Sequence, residues 1–356
     1  MSGMLKEKIL GALYGTAAGD ALGYAIEFLS WERISQAYGP RGIREYALNK
    51  AGLAEVSDDT QMTLFTAAGL VLAGEEGVPF DEAVFRAYRD WLSTQKGEQK
   101  SGWTREQDWL LADKSLYQWQ APGNTCLHAL GSGTYGTPER PINESKGCGG
   151  VMRTSVCGFA SPALFPDRPE EQAAALAGAQ AAAVTHGHPM GWVPAAMMAD
   201  MVYRIVYLNL SIPEAAEAAL RQVEAMYPKV PGMADFRALV ERALYWGTEE
   251  NSQETTLDDV PWDMDDIQEL GGGWVGDEAL AIAIYCACRY ANDFDACIRA
   301  AVNHSGDSDS TGAIAGALVG ASLGIGGISS RWTTPLDVKA AIEATAGRLM
   351  AAARPL

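Results

Sequence analysis

Residues 303–320 read NHSGDSDSTGAIAGALVG, so that Asp307 and Asp309 stand directly before an uncharged segment of small and apolar residues. The first N–H groups of a helix lack backbone partners, and a carboxylate or hydroxyl placed there can accept their hydrogen bonds. Two carboxylates one residue apart, flanked by hydroxyls, also offer the oxygen ligands that Mg²⁺, Ca²⁺ and Mn²⁺ prefer. An acidic helix cap that binds no metal is the alternative interpretation of this motif by itself.

A second acidic motif, Ser57-Asp58-Asp59-Thr60, precedes another helical pattern that begins near Gln61. One side chain is enough to cap a helix, and a second adjacent aspartate adds like-charge repulsion unless a cation offsets it. We therefore interpret the early and the late acidic motifs as two halves of one site.

Glycines recur at every fourth position in the first helical pattern and in the segment after Asp309. They are Gly11, Gly15, Gly19 and Gly23 early in the chain, and Gly312, Gly316 and Gly320 late in the chain. Each glycine lowers helix stability by about 1 kcal/mol relative to alanine, so close helix contact has to offset the loss. We expect the helix at residues 9–28 to pack centrally against the helix after Asp309, which would bring Glu27 and Asp307 together.

The rest of the chain is rich in helix-forming residues and poor in the alternating pattern of strands. Predicted helices include residues 80–94, 170–184, 191–208, 212–226, 233–245 and 276–290, whereas residues 44–48 and 151–156 are short predicted strands. No linker-like segment and no internal repeat divides the 356 residues. The sequence therefore predicts an all-α fold, a compact bundle of many helices, organised as a single domain over residues 1–356.

The net charge of −18 argues against nucleic-acid binding, because an acidic surface repels a polyanion. Six cysteines without a CxxC pair predict reduced thiols, and the charged residues within positions 1–10 argue against a signal peptide. Residues 311–330 are uncharged and long enough to span a bilayer, but their alanine and glycine content disfavours a membrane role. We expect a cytoplasmic monomer without a membrane segment.

Five motifs in a fixed order carry a resemblance to a known family. They are GDALG at residues 19–23 with Glu27-Phe28, SDDTQM at residues 57–62, GCGGVMR at residues 147–153, Thr185-His186, and GDSDS at residues 306–310. Together they resemble the ADP-ribosylglycohydrolase family, which includes the dinitrogen reductase-activating glycohydrolases. The resemblance implies an all-helical orthogonal bundle, two divalent cations (Mg²⁺ or Mn²⁺), and hydrolysis of the bond that joins ADP-ribose to a modified group.

The resemblance also implies roles for the acidic residues. The implied metal ligands are Ser57, Asp58, Asp59, Asp307, Asp309 and Ser310. Asp309 is the candidate bridging ligand, and Ser57 and Ser310 stand where relatives often have threonine, which leaves a hydroxyl ligand in place. The candidate catalytic residues are Glu27, Asp59 and Asp309, with Glu27 as the proton-transfer group or a mobile ligand; a surface glutamate at a helix end is the alternative. Two cations about 3.5–4 Å apart could orient ribose hydroxyls and lower the pKa of a water near the anomeric carbon.

Glycine-rich and polar loops are the candidate surface for the nucleotide. Three glycines within residues 147–150 let backbone N–H groups approach an anion, and the resemblance implies that this loop contacts the diphosphate and ribose. Residues 122–126 suit sugar or phosphate oxygens but also an ordinary turn, and a core-packed indole is the alternative for Trp274. The predicted ligand-binding residues are Asn124, Thr125, Gly147, Gly149, Gly150, Met152, His186 and Trp274. Zinc binding at His186 and His188 is disfavoured, because the HExxH pattern is absent.

The function that the resemblance implies is metal-dependent removal of ADP-ribose from a substrate, with arginine on a protein as the first choice of acceptor, because GDALG with Glu27 and SDDT resembles the arginine-directed branch of the family. Serine-linked ADP-ribose and O-acetyl-ADP-ribose are alternatives within the same chemistry. Asp307-x-Asp309-x-Thr311 also matches the nucleophile motif of haloacid dehalogenase-type phosphatases, where a buried strand precedes it. A non-catalytic ADP-ribose-binding protein is a third alternative.

Overall fold

Sixteen α-helices and several short 3-10 helices form the regular structure of the computed structural model, which describes residues 2–98, 109–248 and 262–353. The α-helices are α1 (Ser2–Tyr24), α2 (Trp31–Tyr38), α3 (Asp58–Glu76), α4 (Phe80–Gln95), α5 (Trp109–Ala112), α6 (Asn124–Gly131), α7 (Ala173–Ala183), α8 (Pro189–Tyr207), α9 (Ile212–Met226), α10 (Met233–Thr248), α11 (Trp262–Leu270), α12 (Gly276–Arg289), α13 (Phe294–Val302), α14 (Ser308–Leu323), α15 (Ser330–Thr333) and α16 (Lys339–Ala352). Strand-type pairing within these ranges is limited to isolated bridges. The all-α prediction is confirmed.

The two short predicted strands are wrong. Residues 44–48 are irregular, and residues 151–156 form a turn that leads into the 3-10 helix Ser155–Phe159. In the second segment, local turn bonds satisfy the backbone: the Thr154 N–H donates to the Val151 carbonyl at 3.2 Å, and the Cys157 N–H donates to the Thr154 carbonyl at 3.0 Å. These two short segments had an alternating pattern, but they lie among helices and have no strand to pair with in the described structure.

Helices α1 and α14 pack antiparallel along their glycine faces at the centre of the fold. A methyl group added at Gly19 would lie 1.9 Å from the Gly312 carbonyl oxygen, and one added at Gly23 would lie 2.3 Å from the Ser308 carbonyl oxygen. The same close approach repeats toward the other end of the pair, at Gly15 with Gly316 and at Gly11 with Gly320. The predicted pairing of the first and last long helices is therefore confirmed.

The central pair is enclosed by α3, α8, α12, α13 and α16. Residues 308–321 of α14 are buried throughout, which explains why this uncharged helix carries so little polarity. None of the helices in the described part of the chain combines the length and the apolar character needed to cross a membrane.

The predicted bounds of the middle helices agree with the structure to within three residues, whereas those of α1 differ more, and its true end positions a functional residue. Helix α9 begins and ends where its pattern predicted, with a capping box between Ser211 and Glu214 at its start. Helix α1 was predicted over residues 9–28 but spans Ser2–Tyr24. It is followed by a turn in which the Ile26 N–H donates to the Gly23 carbonyl at 2.9 Å. Glu27 therefore lies beyond the helix, on a turn next to the start of α14.

Candidate active site

The early and late acidic motifs meet beside the end of α1. Glu27, on the turn after α1, and Asp307 and Asp309, at the start of α14, place carboxylate oxygens that all lie within 4.8 Å of one another. All three side chains are buried. The close packing of α1 on α14 produces this arrangement, because Gly23 contacts the backbone of Ser308, the first residue of α14.

Helix α3 brings the second acidic pair to the same place. Asp58 and Asp59 form its first turn, with Ser57 as the N-cap that accepts a hydrogen bond from the Asp59 N–H at 3.2 Å. The Asp58 Oδ2 accepts a hydrogen bond from the Gly123 N–H at 3.0 Å. The Asp59 Oδ2 and the Glu27 Oε2 are buried and have no hydrogen-bond partner in the described structure.

Unpartnered carboxylate oxygens in the interior indicate what this site is built to hold. A buried polar atom without a partner costs about 1–3 kcal/mol, and more when it is charged, so such atoms are rare in proteins. Bound divalent cations would supply the missing partners, because carboxylates and hydroxyls are the ligands that hard cations take. The residues that are present thus fit a hard divalent cation such as Mg²⁺ or Mn²⁺.

The electrostatics of the cluster agree with that fit. Burial, followed by repulsion from neighbouring carboxylates, raises the pKa of Glu27, Asp59 and Asp307 above the ordinary values. Burial also raises the pKa of Asp309, and it raises that of Asp58 to about 7. Without a positive charge among them, these carboxyl groups retain protons; a bound cation offsets the repulsion and favours the ionised form.

The acidic cluster forms one wall of a cleft of about 580 Å³. The opposite walls come from residues 119–126, from the glycine loop at residues 147–149, and from His186 and Trp274. Three exposed aromatic side chains lie along this cleft: Phe28, Trp119 and Trp274, with exposed fractions of 71%, 63% and 46%. The rings of Phe28 and Trp274 stack, with centroids 6.1 Å apart and planes inclined by 19°. The cleft has the size and mixed polarity of a small-molecule site.

Comparison with known proteins identifies the family. The family model described as ADP-ribosylglycohydrolase matches residues 1–355. The chain belongs to the ADP-ribosylglycohydrolase family. It is 24% identical over 337 residues to the ADP-ribosyl-[dinitrogen reductase] glycohydrolase of Rhodospirillum rubrum, covering 94% of this chain and 91% of that protein. An uncharacterized protein of Archaeoglobus fulgidus is 27% identical over 349 residues, covering 97% of this chain and 96% of that protein.

A solved structure shares the fold of this ADP-ribosylglycohydrolase. It is described as an ADP-ribosylglycohydrolase-related protein complex, with a TM-score of 0.64 and 23% sequence identity. The alignment covers 99% of this chain and 100% of that chain. The expected fold type and family are therefore confirmed, and the chain has the enzyme class of a glycohydrolase.

Most of the residues predicted for ligand binding line the cleft of this ADP-ribosylglycohydrolase. They are Asn124, Thr125, Gly147, Gly149, Met152, His186 and Trp274. Gly150 is not among the lining residues: a methyl group added there would lie 2.1 Å from the Gly191 carbonyl oxygen, so this glycine lets the loop pack against α8. Asp58, Asp59, Asp307, Asp309 and Ser310 of the predicted metal ligands also line the cleft, whereas Ser57 is fully buried as the cap of α3.

Asp20 supports the site, although the sequence analysis assigned it no role. Its Oδ1 accepts a hydrogen bond from the Ser57 N–H at 2.8 Å, and its Oδ2 accepts one from the Thr60 N–H at 2.9 Å and another from the Thr60 hydroxyl. Asp20 thereby fixes the start of α3 against α1. Its signal was present in the sequence, since Asp20 is the sole charged residue between Lys8 and Glu27.

Cys148 was also not predicted, and it connects the glycine loop to the acidic cluster. Its thiol donates a hydrogen bond to the Asp307 Oδ2 at 2.7 Å, and its backbone N–H donates to the Trp274 carbonyl at 3.1 Å. The Asp307 N–H in turn donates to the Gly272 carbonyl at 2.9 Å. The loop that faces the cleft, the loop of Trp274 and the first acid of α14 are thus held as one unit.

The phosphatase alternative does not agree with this ADP-ribosylglycohydrolase fold. That alternative requires a buried strand immediately before Asp307, but residues 303–306 form bends between α13 and α14. Asp307 and Asp309 instead accept hydrogen bonds in the first turn of α14. The Ser310 N–H donates to the Asp307 Oδ1 at 3.3 Å and to the Asp309 Oδ1 at 3.0 Å.

Proposed function

We propose that this protein hydrolyses the glycosidic bond between ADP-ribose and a modified arginine side chain of a protein, with two divalent cations bound at the acidic cluster. The observation that carries the proposal is the convergence of Glu27, Asp307 and Asp309 in a cleft large enough for part of a nucleotide sugar. Family membership supports the reaction class. The relative from Rhodospirillum rubrum is described as acting on ADP-ribosylated dinitrogen reductase.

The proposed metal ligands are Ser57, Asp58, Asp59, Asp307, Asp309 and Ser310, with Mg²⁺ or Mn²⁺ as the cations. The negative charge of Asp309 contributes to the raised pKa of Glu27, Asp58, Asp59 and Asp307, so Asp309 is close enough to interact with Glu27 and with both acidic motifs. This proximity supports a bridging role. Bound cations supply charge that orients ribose hydroxyls and lowers the pKa of a coordinated water.

Glu27 is the proposed proton-transfer residue. Its buried Oε2 has no hydrogen-bond partner in the described structure, and burial raises its pKa, so the side chain is able to hold a proton near neutral pH. A carboxylic acid held in this way can protonate the departing nitrogen as the bond to the ribose breaks. Asp59 and Asp309 are the other two proposed catalytic residues, and they provide negative charge next to the anomeric carbon of the ribose.

The aromatic side chains along the cleft support arginine as the acceptor. Phe28, Trp119 and Trp274 present exposed ring surface beside a cluster of carboxylates. A guanidinium group is planar and delocalised, and it stacks favourably on aromatic faces. A serine acceptor has no such planar group, and an acetyl ester is planar but carries no positive charge.

The proposal also covers the whole chain and its setting. We propose that residues 1–356 act as one domain and as a monomer in the cytoplasm. The six cysteines form no disulfide in the described structure, which suits a reducing compartment. The net charge of −18 disfavours a nucleic-acid partner.

Release of free ADP-ribose from matched substrates tests the proposal. We expect the purified protein to act on arginine-linked ADP-ribose with Mg²⁺ or Mn²⁺, to act more slowly on serine-linked and O-acetyl-ADP-ribose, and to lose activity with a chelator. Asp309→Ala should abolish release, and Glu27→Gln should keep Mn²⁺ binding while turnover falls by about 100-fold or more. Asp235→Asn, at an exposed position of α10, is the matched control. Activity that is indifferent to the chelator, or near-normal turnover by Asp309→Ala, would contradict the proposal.

A further inference from the structure

A completely buried arginine lies beneath the cleft. Arg153 has no exposed surface and forms no ion pair with a carboxylate in the described structure. Its guanidinium donates hydrogen bonds to the Cys126 Sγ at 3.1 Å and to the Ala181 carbonyl at 3.0 Å. The same group lies 4.5 Å from the centre of the Tyr88 ring. Burying a cation without a directly paired carboxylate is unfavourable, and at longer range the charge of Arg153 offsets part of the rise in the pKa of Asp58.

A further hydrogen bond of Arg153 determines which way its neighbour Thr185 donates. The Arg153 Nη2 donates to the Thr185 Oγ1 at 2.6 Å. Arginine has donors and no acceptors, so the threonine oxygen accepts this bond and keeps its own hydrogen for another partner. Three acceptors are in range: the His186 Nδ1 at 2.8 Å, the Ala182 carbonyl at 3.5 Å and the Cys126 sulfur, which is a weak acceptor. The imidazole nitrogen takes the hydrogen, because it is a stronger acceptor than sulfur and lies closer than the carbonyl.

The tautomer of His186 follows from this direction of donation. If the Nδ1 accepts the threonine hydrogen, the neutral imidazole carries its own hydrogen on the Nε2. The Nε2 makes no hydrogen bond to the part of the chain that the structure describes, and it faces the glycine loop: a methyl group added at Gly149 would lie 3.2 Å from it. His186 itself lines the cleft.

The ring is also kept neutral. Burial, and then the positive charge of Arg153, lowers the pKa of His186 to about 3. A neutral imidazole with its hydrogen on the Nε2 is a donor of fixed direction rather than a mobile cation. Phosphate oxygens carry only acceptors, so a fixed N–H donor beside a glycine loop matches a diphosphate.

We propose that Arg153, acting through Thr185, holds His186 as the Nε2–H tautomer, so that His186 donates a hydrogen bond to a diphosphate oxygen of the substrate. Arg153 and Thr185 are positioning residues in this arrangement and do not touch the substrate. The inference rests on the proposed function for the identity of the substrate, but the tautomer is a property of the protein without substrate.

Nitrogen NMR of the full chain labelled with ¹⁵N-histidine tests the tautomer directly. The four histidines are His128, His186, His188 and His304. The signal missing from His186→Gln assigns the His186 ring. We expect a protonated Nε2, an unprotonated Nδ1, and no titration between pH 5 and 8. Thr185→Ser should keep this pattern, whereas Thr185→Val should give a mixture of tautomers. A protonated Nδ1 in the wild type, or an unchanged tautomer in Thr185→Val, overturns the proposal even if no hydrolase activity is found.

A binding measurement tests the donor independently of whether Thr185→Val folds. Titration calorimetry with ADP-ribose and Mg²⁺ should show affinity about tenfold weaker for His186→Leu, which has no donor. His186→Gln keeps an amide N–H of similar reach and should retain most of the affinity. Equal losses in both variants overturn the role of the Nε2 donor. If ADP-ribose does not bind to the wild type, the proposed function fails while the NMR result still decides the tautomer.

Discussion

The contact between α1 and α14 can be tested by adding a single methyl group at its tightest point. In Gly19→Ala the new carbon would lie 1.9 Å from the Gly312 carbonyl oxygen and 2.2 Å from its carbon. Non-bonded heavy atoms pack at about 3.5–4 Å, so the two helices would have to separate by roughly 1 Å or more. Overpacking of this kind destabilises by about 1–3 kcal/mol, and here backbone rather than a flexible side chain has to move.

We expect the free energy of unfolding of Gly19→Ala to fall by about 2 kcal/mol, because an overpacking penalty of about 3 kcal/mol exceeds the gain of about 1 kcal/mol in helix propensity from alanine. Urea unfolding followed by circular dichroism, in the presence of a chelator, measures this change. Gly74→Ala is the matched control, because Gly74 is an exposed position in α3 with nothing within 4 Å of the added methyl group. That variant should be as stable as the wild type or slightly more stable.

The same substitution has a functional consequence. Helix α1 carries Asp20 and leads to Glu27, so separating it from α14 moves these residues away from Asp307 and Asp309. Calorimetric titration of folded Gly19→Ala should therefore show weaker Mn²⁺ binding than Gly74→Ala. If Gly19→Ala matches Gly74→Ala in both stability and Mn²⁺ affinity, the glycine contact does not organise the site.

Three further predictions concern the site. The folded-state pKa of Asp58 is raised to about 7 and that of Asp20 to about 8, so the metal-free fold binds more protons than the unfolded chain. Its stability should therefore fall as pH rises from about 4 to 8, and saturating Mn²⁺ should flatten this dependence in urea titrations. Asp20→Ala leaves the Ser57 and Thr60 N–H groups without their acceptor; Mn²⁺ affinity should drop about tenfold by calorimetry, although Asp20 is not a proposed ligand. Trp274→Ala should lower kcat/KM for arginine-linked substrate more than for serine-linked substrate, and equal losses would remove the aromatic argument for arginine.

The helices and their central pairing were accessible from local patterns in the sequence. A four-residue glycine spacing specifies one face of a helix, and two such faces predict a close contact without any knowledge of the intervening chain. The acidic motifs could also be recognised from local sequence, because carboxylates and hydroxyls at the start of a helix cap its first N–H groups. The start of α1 was predicted too late. Lys6 and Glu7 are exposed within the helix, so their charges do not mark its boundary.

The outcome for the glycine loop shows the limit of local patterns. Gly147, Gly149 and Gly150 are the same residue type, and all three were predicted to bind the ligand. The first two line the cleft, whereas the third packs on α8. Which way a loop glycine faces depends on the element packed behind it. Residues 151–156 resembled a strand, and the absence of a pairing partner within the described structure made them a turn and a 3-10 helix.

The sequence by itself determined the family, the helical character of the chain and the acidic groups that meet in the site, because each depends on residues close together in the chain. Tertiary structure decided how these groups are held: Cys148 on Asp307, Asp20 at the start of α3, and Arg153 behind His186. Cys148 and Asp307 are 159 residues apart, and no spacing rule relates them. A hydrogen bond between such groups exists only once the packing of helices has brought their atoms within about 3 Å.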